Sequence, residues 1–212
     1  MGDLRRYAEA NARVRGLRRS LLGAAQLEAL STYPSLETLR AALLPTVYGA
    51  LLAGDVPPEQ ALAGRLRDIA RPLLALLQDR ERTFLRLYLS LHEVENLKLA
   101  IRAVHQRCGW EAIAAYVTPL PQATLDIRSL ANEADLDQLA ERLDVTSYGQ
   151  AFRGALHRVA VAGPFAVEAA IEIDAHERLW AAAAELHSVD AEHARRLLGV
   201  LFDVLNLGWI AR

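Results

Sequence analysis

Two polar triplets interrupt a chain otherwise dominated by Ala, Leu and Arg: Glu93, Asn96 and Arg102, and then Asp203, Asn206 and Arg212. On a helix, an acid and an amide three residues apart share one face, where they can bond each other or a neighbouring backbone. The Arg lies six residues past the Asn and so points to a different side. An Asn inside an apolar helix costs stability unless it is hydrogen-bonded. These residue types therefore suit the fixing of helix register within a packed unit, with direct contact to a partner as the sharper alternative. Tyr48 and Tyr148 read as core residues with an anchored hydroxyl. The glycines beside them serve turns or close helix approach.

The other chemistry-bearing side chains converge poorly. The six histidines (92, 105, 157, 176, 187 and 193) lack metal-ligand spacing, and His187 and His193 do not share a helix face. With Asp190 those two could form a surface metal site, but ordinary solvated histidines are the simpler reading. Cys108 has Arg107 beside it and His105 near it, which is a route to thiol activation; a structural thiol at a helix end is the simpler reading. There is no phosphate-cradling glycine loop, no G-x-S-x-G and no H-E-x-x-H. No catalytic residue, metal or cofactor is expected, and an interaction protein is favoured over an enzyme.

Helices must position these residues. The chain has 212 residues, 52% hydrophobic, 24% charged and only 6% aromatic. Strong helix formers dominate, β-branched residues are scarce and no segment alternates with period two, so an all-β fold is excluded. One helix is expected over about 3–30, with Asp3 as a candidate N-cap and Tyr7, Ala10, Val14, Leu17 and Leu21 as its apolar stripe. Ser35 can cap the next, SLETLRAALL. A loop follows at 54–58, and Pro58 suits the first turn of a helix over 58–78 that Pro72 should kink or interrupt. A helix over 79–107 is apolar on more than one face across 83–104, which places it centrally. Thr118-Pro119-Leu120-Pro121 is a loop. Short helices near 126–131, 134–143 and 147–161 precede a break at Gly163-Pro164, and helices over 165–187 and 189–211 close the chain.

The chain also repeats itself. At an offset of 100, residues 36–54 match 136–154 at seven positions, among them Leu39/Leu139, Thr46/Thr146, Tyr48/Tyr148 and Gly49/Gly149. At an offset of 110, residues 85–102 match 195–212 at seven positions, among them Val94/Val204, Asn96/Asn206, Leu97/Leu207 and Arg102/Arg212, while Glu93/Asp203 keeps the acid. Windows in the same order at nearly the same offset mark a duplication. The expected organisation is an opening helix plus first repeat over 1–109 and a second repeat over 110–212.

Charge divides near the same point. Residues 1–110 hold 16 Lys/Arg against 11 Asp/Glu, and residues 111–212 hold 8 against 15. Arginines 5, 6, 13, 15, 18 and 19 make the opening helix basic. Asp3 and Glu9 argue against a transit peptide there. Without interleaved aromatics or a reading helix, the basic excess does not point to nucleic acid. A single cysteine excludes an internal disulfide framework and fits a reducing compartment. No apolar run reaches the roughly 18 residues that a membrane span needs.

The stretch YAEANARVRGLRRSLL (7–22), with Asn11 inside its Tyr-x-x-x-Asn-Ala-Arg-Val-Arg pattern, resembles the opening helix of the C subunit of V-type (A-type) ATP synthases, a family related to the d subunit of the vacuolar pump. EVENLKLAIRAV (93–104) and DVLNLGWIAR (203–212) resemble that family's recurring acid-x-x-Asn…Arg segment, and Leu…Leu-x-x-Thr-x-Tyr at 43–48 and 143–148 is similar too. The resemblance implies an all-α fold of two tandem pseudo-repeated bundles forming a partial funnel. Family members are built from three such units; here the second motif ends at Arg212, as in a fragment or a natural short form, which would leave a repeat interface exposed. It further implies a non-catalytic central-stalk subunit that links the central shaft to the membrane proteolipid ring. Such a subunit transmits torque, with no cofactor and no nucleic acid, and is cytoplasmic and peripheral to the membrane through the ring. A generic helical-repeat adaptor outside any rotary motor is the alternative.

Overall fold

A computed structural model describes residues 7–49 and 58–210. Among them the only regular structure is helical, in the order α1 (Ala8–Arg19), α2 (Ala24–Ser31), α3 (Leu36–Leu43), α4 (Pro58–Leu76), α5 (Asp79–Gln106), α6 (Gly109–Ile113), α7 (Ile127–Leu130), α8 (Leu136–Leu143), α9 (Gly149–Leu156), α10 (Val159–Ala162), α11 (Phe165–Ala184) and α12 (Ser188–Ile210). The expected all-α class is what the chain adopts.

The opening segment is two helices rather than one. Ser20 ends α1 by donating its hydroxyl to the Leu17 carbonyl at 2.7 Å. Gly23, in extended backbone, starts α2, its N–H bonded by the Gln26 side chain at 2.8 Å. This is the local competition that small polar residues and glycine offer a helix. Asp3 and residues 54–57 of the expected loop lie outside the described residues. Ser35 caps α3 by accepting from the Thr38 N–H at 3.3 Å. Pro58 opens α4 as its fixed φ favours. Of the kink or interruption expected at Pro72, the interruption does not occur: α4 runs through it to Leu76. Arg107, in the left-handed region at φ 56°, stops α5. The segment expected as one helix over 147–161 divides into α9 and α10, and Gly163 at φ 65° makes the turn before α11.

The chain forms two compact units. Unit 1 comprises 1–77 and 115–122, and within it α1 packs on α4. Unit 2 comprises 78–114 and 123–212. Its centre is the pair α5 and α11, with α9 and α12 also against α11, and α7 and α8 against α5. Leu89, Val94, Leu97, Ile101 and Val104 of α5 are buried, as are Leu139 and Leu143 of α8 and Val167, Ile171 and Leu179 of α11, while Glu95 and Arg102 leave one side of α5 exposed. Burial on more than one side is what the multi-sided apolar pattern of 83–104 predicts. The units and the sequence repeats are different divisions: α5 belongs to the first repeat by sequence and to unit 2 by packing.

Candidate functional site

The polar residues of α5 are where the chain concentrates its side-chain chemistry. Glu93 is buried, and its carboxylate gathers donors from elsewhere in unit 2. Thr124 donates its N–H at 2.5 Å and its hydroxyl at 2.8 Å, Leu125 its N–H at 3.1 Å, and Tyr148 its hydroxyl at 2.9 Å. One carboxylate thereby pins the backbone entering α7 and the turn before α9 to the same helix. Charge-assisted bonds of this kind are the stronger ones, and full satisfaction is what makes a buried charge tolerable.

Tyr148 is held from both sides. Its hydroxyl meets Glu93, and the Arg178 guanidinium lies 5.1 Å from its ring centroid, a cation–π distance. Burial, and then the adjacent Glu93 charge, push the phenol well above its ordinary pKa. The turn that presents it is built by Thr146, whose hydroxyl donates to the Leu143 carbonyl at 2.6 Å and accepts the Tyr148 N–H at 3.2 Å. Gly149 follows because a Cβ there would stand 2.5 Å from the Leu143 carbonyl oxygen.

Two ion pairs continue the seam between α5 and α11. Lys98 is buried and reaches Glu172 at 2.5 Å and Glu95 at 2.7 Å. Burial opposes its charge, but the bonds to Glu172 and Glu95 outweigh it and hold the ammonium above its usual pKa. Arg102 makes a two-pronged contact with Glu168, Nε to Oε1 at 2.8 Å and Nη2 to Oε2 at 2.6 Å. The bonds to Glu168 raise its pKa further.

The expected site residues thus fall into separate groups. Glu93, Asn96 and Arg102 all lie on α5, the first two buried, and Tyr148 joins Glu93. Asp203 and Asn206, their counterparts on α12, are exposed. Tyr48 sits half-buried in unit 1, in a turn where Thr46 makes the same bonds as Thr146, at 2.6 and 3.1 Å. Asn11 is exposed on α1, and its N–H donates to the Tyr7 carbonyl at 2.7 Å. Arg212 lies outside the described residues. Sequence reasoning missed Lys98, Glu168, Glu172 and Thr124. A signal for the two acids existed: they stand four apart on α11, in the Ala-rich run FAVEAAIEIDAH.

Cys108 is exposed just beyond the end of α5. Among the described residues, no three His, Cys, Asp or Glu side chains stand together as a metal would require. None of the helices described is long and apolar enough to cross a membrane.

Fold and site together define an all-α protein whose second unit is tied along α5 by buried charged contacts. The sequence profile of the ATP synthase (C/AC39) subunit family matches residues 10–212, and the chain belongs to that family. It is similar to the C subunit of the A-type ATP synthase of Methanocaldococcus jannaschii, 29% identical over 154 residues. That alignment takes in 69% of this chain and 39% of the archaeal protein, so the chain spans well under half the length of this relative.

Proposed function

We propose that the chain is a non-catalytic coupling subunit of a V-type (A-type) ATPase or ATP synthase, joining the central shaft to the membrane rotor ring during rotary proton or sodium transport. Family membership carries this reading. The physics of unit 2 supports it. A subunit that transmits torque must resist shear between its helices, and buried contacts such as Glu93 with Thr124, Leu125 and Tyr148 oppose sliding in a way that non-directional apolar packing does not. Its partners in this reading are the shaft subunits and the proteolipid ring, and it meets the membrane only through the ring, on the cytoplasmic side.

The test is co-purification. A tagged chain, expressed with the shaft and ring subunits of its own complex, is expected to retain both and to hydrolyse no ATP alone. Retention of neither would return the chain to the class of helical-repeat adaptors outside rotary motors.

A further inference from the structure

Unit 1 repeats the tyrosine turn of unit 2 but not the acid that the tyrosine meets. The Thr46 turn carries the same two side-chain bonds as the Thr146 turn. Tyr148 is buried, and its hydroxyl donates to the Glu93 carboxylate at 2.9 Å. Tyr48 is half-buried, and its hydroxyl has no hydrogen-bond partner among the described residues. With Leu17, Leu21, Val47, Ile69 and Leu73 it lines an apolar cleft of about 250 Å³ between α1 and α4.

The charged residues lining this cleft are both cationic: Arg18 of α1 and Arg65 of α4. Arg65 is half-buried, and neither guanidinium has an ion pair or a hydrogen bond among the described residues. The acid nearest Arg65 along α4, Asp68, lies 3.6 Å from Arg67 instead. No carboxylate is among the cleft's lining residues. A charge drawn partly out of water costs stability unless a counter-charge meets it. The long arginine stems lie favourably along apolar walls while their heads stay at the mouth. An apolar recess with a few polar groups converging on it is the usual form of a ligand site. The walls call for an apolar chain and the heads for an anion. Size narrows the choice further. The volume is below the roughly 300–1,000 Å³ of drug-sized sites and too small for one turn of an α-helix about 10 Å across, so a single chain fits where a partner helix does not.

We propose that the cleft binds an anionic amphiphile. Its alkyl chain lies between α1 and α4, and its carboxylate or phosphate is held by Arg18, Arg65 and the Tyr48 hydroxyl, in the place that Glu93 takes for Tyr148. Arg13, Arg15 and Arg19, exposed on the same helix, strengthen the positive field that draws the head group. A free fatty acid and an anionic bilayer lipid share this chemistry. The inference stands apart from the coupling role.

Isothermal titration calorimetry of the full chain with decanoate and with decyl phosphate, each below its micelle-forming concentration, tests this. Each is expected to bind once per chain, at least about tenfold more tightly than decanol or decyltrimethylammonium. Octanoate, two methylenes shorter, binds about tenfold more weakly than decanoate if the chain occupies the cleft. Arg18→Gln, at an exposed position, and Arg65→Gln each weaken the anions at least about fivefold, with decanol binding and circular dichroism unchanged. Tyr48→Phe, which removes only a hydroxyl, is a second route to the same selective loss. Flotation with phosphatidylglycerol and phosphatidylcholine vesicles separates the two sources. Capture by phosphatidylglycerol alone, lost in the arginine variants, identifies a bilayer lipid; anion binding without capture identifies a free acid. No binding of either anion up to about 1 mM overturns the proposal. So does equal binding of all four decyl probes, anion binding that survives both arginine substitutions, or binding of many copies per chain with no dependence on chain length.

Discussion

Glu93 and Asp203 are equivalent in sequence and opposite in surroundings, so the same deletion separates their roles. Glu93→Ala removes the acceptor of four donors and leaves buried N–H and O–H groups unpaired, at an expected cost of about 3–5 kcal/mol in urea unfolding. Asp203→Ala, at an exposed position, costs within about 0.5 kcal/mol. Titration adds a second expectation. Burial lowers the His92 and His176 imidazoles, with Glu95 and Glu172 respectively opposing it. The folded state then binds fewer protons than the unfolded one, so this stability is complete above the ordinary value of 6.5 and declines as pH falls through the lowered values. For Tyr148 the neutral phenol is favoured on folding, so its share is intact below pH 10.0 and is lost as pH rises through the folded-state value. Tyr148→Phe should therefore flatten the alkaline limb of a stability–pH curve, and His176→Phe the acid limb. The acid and the amide of α5 were legible in sequence as polar interruptions of an apolar helix. Their partners were not, because Thr124 and Tyr148 lie 31 and 55 residues away, and local spacing carries no information about such pairings.

The repeated turn before α9 rests on glycine where a side chain has no room. Gly149→Ala would press a Cβ to 2.5 Å from the Leu143 carbonyl oxygen and 2.7 Å from the Asp144 Cα, so backbone must shift, at an expected cost of about 2 kcal/mol or more in thermal unfolding. Gly154, inside α9 with no atom within 4 Å of where a Cβ would stand, gives the opposite sign: Gly154→Ala should stabilise by about 0.5–1 kcal/mol. Two outcomes that share one short helix and differ only in space make this a clean comparison. At this scale the long helices were readable, since periodicity and caps such as Ser35 act locally. The split of the opening segment at Ser20–Gly23 was not, because a hydroxyl and a glycine diverted the backbone within an unbroken apolar stripe. At Pro72 the helix gives up one backbone bond to the preceding turn and still runs on to Leu76, so the proline marks a local cost rather than an end.

For the molecule as a whole, charge divides near residue 110, with 16 Lys/Arg against 11 Asp/Glu before it and 8 against 15 after it. The basic opening helix and the acidic second repeat give the proposed coupling subunit two unlike faces for two unlike partners. Neutralising Arg13, Arg15, Arg18 and Arg19 should weaken attachment to one of shaft and ring and spare the other, as read by separate binding titrations at low salt; equal effects on both, or none, would remove charge as the orienting influence. The central claim is that this chain is the link between them. It is tested most directly by immobilising the shaft subunits and asking whether the detergent-solubilised ring is held on the surface. The ring should be retained only when the chain is added, in proportion to the chain bound. Retention without the chain, or none with it, would contradict a linking role.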